Sequence, residues 1–138
     1  MPTATDATPG SISAFTIDPS TGALTAVPGN PQPIAARGAP SIDPLGRFLF
    51  VTEINGVTIY AINTNFGALS PLAGSPFPAG TSPTVVSVDP TDRYVYALDD
   101  GSANISQFAL ESFGALTPLG AAAVPVGNDP SQMTIVRQ

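Results

Sequence analysis

Aspartate and arginine stand four residues apart at two places in this chain, Asp43/Arg47 and Asp89/Arg93, each inside an Asp-Pro-x-x-Arg run. A carboxylate beside a guanidinium could hold a polar ligand or assist proton transfer. The pair recurs 46 residues on, at the same place in a longer repeat. Catalysis needs one such pair, whereas a turn is needed in every repeat. An Asp at the head of a turn accepts backbone N–H bonds, and the Arg after it covers the unit below. These four residues are therefore read as structural. So are Gly22, Gly67 and Gly114, which open a Gly-Ala-Leu-[Ser/Thr] turn repeated at intervals of 45 and 47 residues.

Charges that do not repeat are better candidates for a site. Arg37, Glu53, Asp99, Asp100 and Asp129 fall in loops between apolar runs and are the expected ligand-binding residues. Asp99-Asp100-Gly101-Ser102 has the clustered oxygens that calcium favours, but the run is short and lacks the later Glu of a calcium loop. Histidine and cysteine are both absent. Their absence removes the commonest general base, the thiolate nucleophile and the usual zinc ligands. The glycines open no phosphate loop or nucleophile elbow, since no helix follows them. No catalytic residue, metal or cofactor is assigned on these grounds.

The elements that must position these loops are strands. Period-two apolar alternation predicts Ala39–Asp43, Phe48–Thr52, Val57–Ile62 and Ala68–Leu72 as four strands, with Asn55-Gly56 as a hairpin turn. The next unit predicts Thr84–Asp89, Tyr94–Leu98, Asn104–Leu110 and Ala115–Leu119, and Gly/Pro-rich linkers follow each unit at 73–83 and 120–130. Four-stranded units at a period of about 40–50 residues point to the blades of a β-propeller, an all-β fold of antiparallel sheets. Calling the strands of a unit a to d, the first unit supplies c (Ser11–Ile17) and d (Ala23–Val27), with Pro2–Thr5 where b belongs. Met133–Val136 has the pattern of a further strand a, Pro130 standing where Pro83 stands.

The expectation is a single half-propeller unit over 1–138, with blades at about 39–72 and 84–119 and a third split between 132–138 and 2–27. Three blades per chain predict a ring closed by self-association. A homodimer of six blades is expected first and a homotrimer second, each C-terminal strand completing a partner's first sheet. The aromatics Phe48, Phe50, Tyr94 and Tyr96 on strand b, and Phe15, Tyr60 and Phe108 on strand c, are expected between blades. Phe66 and Phe113 are expected to plug the outer gap, and Phe77 to be exposed.

Composition narrows the function. The formal charge is −6, with four Arg and no Lys, which excludes a basic footprint for nucleic acid or anionic lipid. Charged residues make up 10%, against about a quarter in ordinary domains. No apolar run reads as a signal peptide or a membrane span. The expected compartment stays open between cytoplasmic and secreted, in a soluble bacterial protein.

At its Asp-Pro-x-x-Arg-x-x-x-Val and Gly-Ala-Leu-[Ser/Thr] turns the chain resembles the lactonase-type seven-bladed propellers, among them bacterial 6-phosphogluconolactonase and fungal carboxy-muconate cyclase. The fullest example is Val88-Asp89-Pro90-Thr91-Asp92-Arg93-Tyr94-Val95-Tyr96, followed by Phe108 and Gly114-Ala115-Leu116. The resemblance implies a site of His, Arg and Glu at the channel mouth, and without His that set does not carry over. A non-catalytic scaffold or binding module is therefore the first expectation. The alternatives are a lactonase-like hydrolase, with Arg37 polarising a carbonyl and Glu53 or an Asp as base, and a glycan- or peptide-binding ring.

Overall fold

The computed structural model describes residues 10–29, 31–120 and 123–136. They form antiparallel strands and no helix. The first unit holds β1 (Gly10–Ile12), β2 (Phe15–Ile17), β3 (Leu24–Ala26) and β4 (Gln32–Ile34); β1 pairs with β4 and β2 with β3. The second holds β5 (Ser41–Ile42), β6 (Phe48–Glu53), β7 (Gly56–Ile62), β8 (Leu69–Pro71) and β9 (Phe77–Pro78), in the order β5-β6-β7-β8 with β9 also on β7. The third repeats it with β10 (Pro83–Val88), β11 (Tyr94–Asp99), β12 (Asn104–Leu110), β13 (Leu116–Pro118) and β14 (Val124–Pro125). This is the all-β, partial propeller that the repeat predicts.

Four expectations are corrected. The linkers at 73–83 and 120–130 are not plain linkers, because β9 and β14 lie within them, as β4 lies in the corresponding segment after β3. Each pairs with the N-terminal half of its unit's strand c, while β3, β8 and β13 take the C-terminal half. The outermost strand of each unit is thus interrupted where its Pro and Gly residues cannot continue a ladder. In the second unit the Ser75 hydroxyl takes the Ile59 N–H left in the gap, at 3.0 Å. Second, Ser11–Ile17 is broken into β1 and β2, and strand Ala39–Asp43 contracts to β5. Third, Phe66 and Phe113 plug nothing, being 61% and 66% exposed, whereas Phe77 is half-buried against the core. Fourth, Ser131–Val136 belongs to no strand. The assignment of Pro2–Thr5 to strand b lies outside the described residues.

Strand β6 carries the core because it is buried on both faces. Phe48 and Phe50 pack with Val57, Ile59, Val86, Val95, Phe108 and Leu116 between the second and third sheets. Leu49 and Val51 pack with Tyr60 and Ile34 between the second and first. One pleated strand thus supplies both inter-blade contacts through its alternate side chains. The Gln32 side-chain amide adds a bond to Leu69 O, 3.0 Å away, across the first gap.

Candidate functional site

The strand order sorts the loops to two ends of the sheets. At one end lie the Asp-Pro-x-x-Arg and Gly-Ala-Leu turns. Asp43, 3% exposed, accepts the backbone N–H of Arg47 at 2.6 Å and of Phe48 at 2.7 Å through Oδ1, and Arg47 Nε at 3.0 Å through Oδ2. Asp89 takes Arg93 and Tyr94 N–H at 2.8 and 2.7 Å in the same way, and its Oδ2 takes Thr91 N–H at 3.0 Å. Burial pushes the Asp89 carboxyl up, but the bonds from the Thr91 hydroxyl and from the three backbone N–H groups outweigh it and leave the group below the usual aspartate range. Arg47 also pairs with Asp92 of the next unit and lies over the Phe48 ring at 5.0 Å, so it joins two blades. Arg93 makes no ion pair among the described residues. Gly114 holds φ +96°, and a Cβ there would stand 2.6 Å from Phe48 Cε1, so backbone and packing both demand glycine. Gly22 and Gly67 have φ of 74° and 72° in the equivalent turns.

The unrepeated charges gather at the opposite end. Arg37 N–H bonds to Thr52 O at 2.8 Å, setting the exposed Arg37 beside the end of β6, where Glu53 is half-buried. The chain comes so close here that a Cβ on Gly38 would stand 1.8 Å from Thr84 O. That glycine lets Arg37 sit over the junction of the second and third sheets. In the third unit Asp100 N–H bonds to Ser82 O at 3.2 Å and Gly101 N–H to Thr81 O at 2.9 Å, which aligns Asp99 and Asp100 with this end. Asp129, exposed, adopts φ +53°, close to the +51° of Ser82 one repeat earlier.

Asp99 differs from its neighbours. Its side chain is fully buried, accepts the Ser106 hydroxyl at 2.6 Å and leaves Oδ1 without a partner. Burial raises its pKa above the ordinary aspartate value, with the Ser106 and Gly80 bonds acting the other way. Ser106 in turn takes the Gly80 N–H at 3.0 Å, and Ser102 takes that of Thr81 at 3.0 Å. Sequence reasoning named Ser102 in the Asp99–Ser102 run but missed Ser106. The signal was a hydroxyl at 106, on the same face of β12 as the buried Phe108. Among the described residues no group of three or more acidic, His or Cys side chains could hold a metal ion. No described helix is long and apolar enough to cross a membrane.

Among the described residues this end therefore carries the exposed Arg37, with Glu53 and Asp100 half-buried and Asp129 exposed at the same end of adjacent sheets. Such a set can polarise a carbonyl oxygen and relay a proton through a carboxylate.

Repeated antiparallel sheets packed face to face, with polar loops gathered at one end, define part of a β-propeller. The family profile described as Lactonase, 7-bladed beta-propeller, matches residues 1–134, and the chain belongs to that family. Among solved structures, a protein provisionally assigned as a 6-phosphogluconolactonase from Bacteroides uniformis aligns with a TM-score of 0.71 at 23% identity, over 85% of this chain and 35% of that one. Its counterpart from Bacteroides fragilis aligns at 0.67 and 19%, over 83% and 33%. The periplasmic gluconolactonase of Pseudomonas aeruginosa aligns at 0.67 and 22%, over 89% and 36%. At these identities the likeness shows the fold. The chain spans about a third of the length of these relatives. A comparison with curated protein sequences found no match. Nothing in these findings supports the expectation of a non-catalytic scaffold, and the lactonase alternative agrees with them better.

Proposed function

We propose that these blades belong to a lactone hydrolase, with Arg37 and Glu53 as the working pair at the polar end of the sheets. The observation that carries this reading is the lactonase family match over nearly the whole chain, combined with the position of Arg37 and Glu53 about the 2.8 Å bond from Arg37 N–H to Thr52 O. Water adds to the lactone carbonyl carbon as Glu53 takes one of its protons. The Arg37 guanidinium stabilises the oxyanion that forms. The ring C–O bond then breaks, the ring oxygen recovers the proton from Glu53, and the product is the open hydroxy acid.

Charge narrows the substrate class. Among the described residues this end carries Arg37 together with Glu53, Asp100 and Asp129, a balance of charge that repels a phosphate dianion. The substrate is an uncharged sugar lactone rather than a phosphorylated one. Hydrolysis of both kinds by the purified protein, followed by alkali uptake at constant pH, tests the reading. The neutral lactone should be the better substrate, and Arg37→Ala should lower kcat/KM by about a hundredfold with an unchanged circular dichroism spectrum. Activity that survives Arg37→Ala, or no activity towards either lactone, refutes the proposal.

A further inference from the structure

The turns that lead into strand b of the second and third units are built alike but differ at one residue. In the second, Gly46 N–H bonds to Asp43 O at 2.9 Å; in the third, Asp92 N–H bonds to Asp89 O at 3.0 Å. Gly46 and Asp92 stand 46 residues apart, and both take a left-handed backbone, with φ of 68° and 60°. Glycine adopts that conformation freely, whereas a residue with a Cβ does so at a cost. A Cβ at Gly46 would meet nothing within 4 Å, so no steric need separates the two turns. What Asp92 adds is a carboxyl group whose contacts offset the strain.

That carboxyl reaches the second unit. Asp92 Oδ2 pairs with the Arg47 guanidinium, and the Asp43 carboxyl lies within hydrogen-bonding reach of Asp92. Arg47 is shared, because its Nε donates to Asp43 Oδ2 at 3.0 Å and its Nη1 to Ser112 O at 3.5 Å. The Asp43 and Asp92 side chains are 0% and 13% exposed. Asp92 Oδ1 is buried and has no hydrogen-bond partner among the described residues. Two carboxylates only accept hydrogen bonds, so they can bond to each other only through a proton. The other charged groups on these turns are Asp89, Arg93 and Glu111. Asp89 acts on Asp92 as a further negative charge. Arg93 is exposed, and Glu111 accepts the Thr117 hydroxyl at 3.0 Å.

We infer that Asp92 and Asp43 are a proton-sharing carboxyl pair that staples the third sheet to the second, with Arg47 as its cation. With the proton in place, Asp92 donates an O–H bond to the Asp43 carboxylate, and Arg47 balances a single negative charge. When the proton passes to water, two carboxylates repel each other on one guanidinium and the staple loosens. Burial raises Asp92 above the ordinary aspartate value; Arg47 opposes the rise, and the Asp43 and Asp89 carboxylates add to it. The stability such a group supplies is complete below its unfolded pKa and is lost as pH climbs through the folded value. The junction of the second and third sheets, which carries Arg37 at its opposite end, is therefore tighter in acid than at neutral pH. This inference is independent of the proposed lactonase chemistry.

The experiment follows the side-chain carboxyl carbons by carbon NMR from neutral pH into acid, with urea midpoints at the same pH values. Loss of one resonance in Asp92→Asn assigns Asp92. In the parent that resonance should titrate with a midpoint shifted above 3.8, and the Asp43 resonance should show the same step, because a coupled pair titrates as one system. Asp43→Asn removes a like charge and should shift the Asp92 midpoint down; Arg47→Met removes the cation and should shift it up. Asp92→Asn offers an amide N–H to Asp43 at every pH, so its urea midpoint should exceed the parent's at neutral pH by a margin that narrows in acid. An Asp92 midpoint at or below 3.8, a midpoint indifferent to both Asp43→Asn and Arg47→Met, or a margin that does not change with pH would each overturn the inference.

Discussion

Replacing Asp43 by Ala and by Asn separates two roles of the repeated Asp–Arg pair. The carboxylate is 3% exposed and Oδ1 holds two backbone N–H groups at 2.6 and 2.7 Å. Bonds to a charged acceptor contribute about 1.5–3 kcal/mol each, so Asp43→Ala should destabilise by about 3–5 kcal/mol. Asn keeps an acceptor oxygen for both N–H groups and loses only the charge, so Asp43→Asn should cost about 1–2 kcal/mol. The Arg47 side chain is 33% exposed, and an ion pair open to water contributes about 0–1 kcal/mol. Arg47→Met should therefore cost about 1 kcal/mol, since it keeps much of the apolar stem over Phe48. Urea denaturation reads all three as shifts of midpoint at constant slope. If Asn proves as harmful as Ala, or Arg47→Met matches Asp43→Ala, the turn is held by its ion pair and the backbone-capping argument fails.

Gly114→Ala combines a positive φ with a Cβ 2.6 Å from Phe48 and should cost about 2–4 kcal/mol, from backbone strain and overpacking together. Gly22→Ala meets nothing within 4 Å and should cost about 1–2 kcal/mol; equal losses in a thermal melt would contradict the packing argument. Asp99 and Asp89 should respond to pH in opposite senses. Burial raises Asp99, so the stability it supports is complete below its unfolded pKa and is lost as pH climbs through the folded value. Asp99→Asn should then melt a few degrees above the parent at neutral pH, an advantage that disappears in acid. Asp89 is lowered on balance, so its contribution is present above the unfolded pKa and falls away as pH drops through the folded value. A gain for Asp99→Asn that does not change with pH would exclude this account.

Turn chemistry and period-two alternation are local properties, and they were legible residue by residue. The spacing of Asp43 and Asp89, the Gly22/Gly67/Gly114 turns and the apolar runs of β6, β7, β11 and β12 determine the strands, their order within a unit and the blade architecture. The same phase places Arg37, Glu53, Asp99 and Asp100 at the end opposite the Asp-Pro turns. Tertiary structure alone decided what depends on distant partners. Phe50 is buried because sheets meet on both sides of β6, while Phe66, equally apolar, lies in a turn that no neighbour covers. Asp99 is enclosed where the equivalent Glu53 is half-buried, because the 79–82 segment and Ser106 fold over it. The outer strands are interrupted because the chain rejoins strand c beyond each gap. Met133–Val136 carries a strand's pattern yet forms none, for a strand exists only when another chain segment meets its hydrogen bonds.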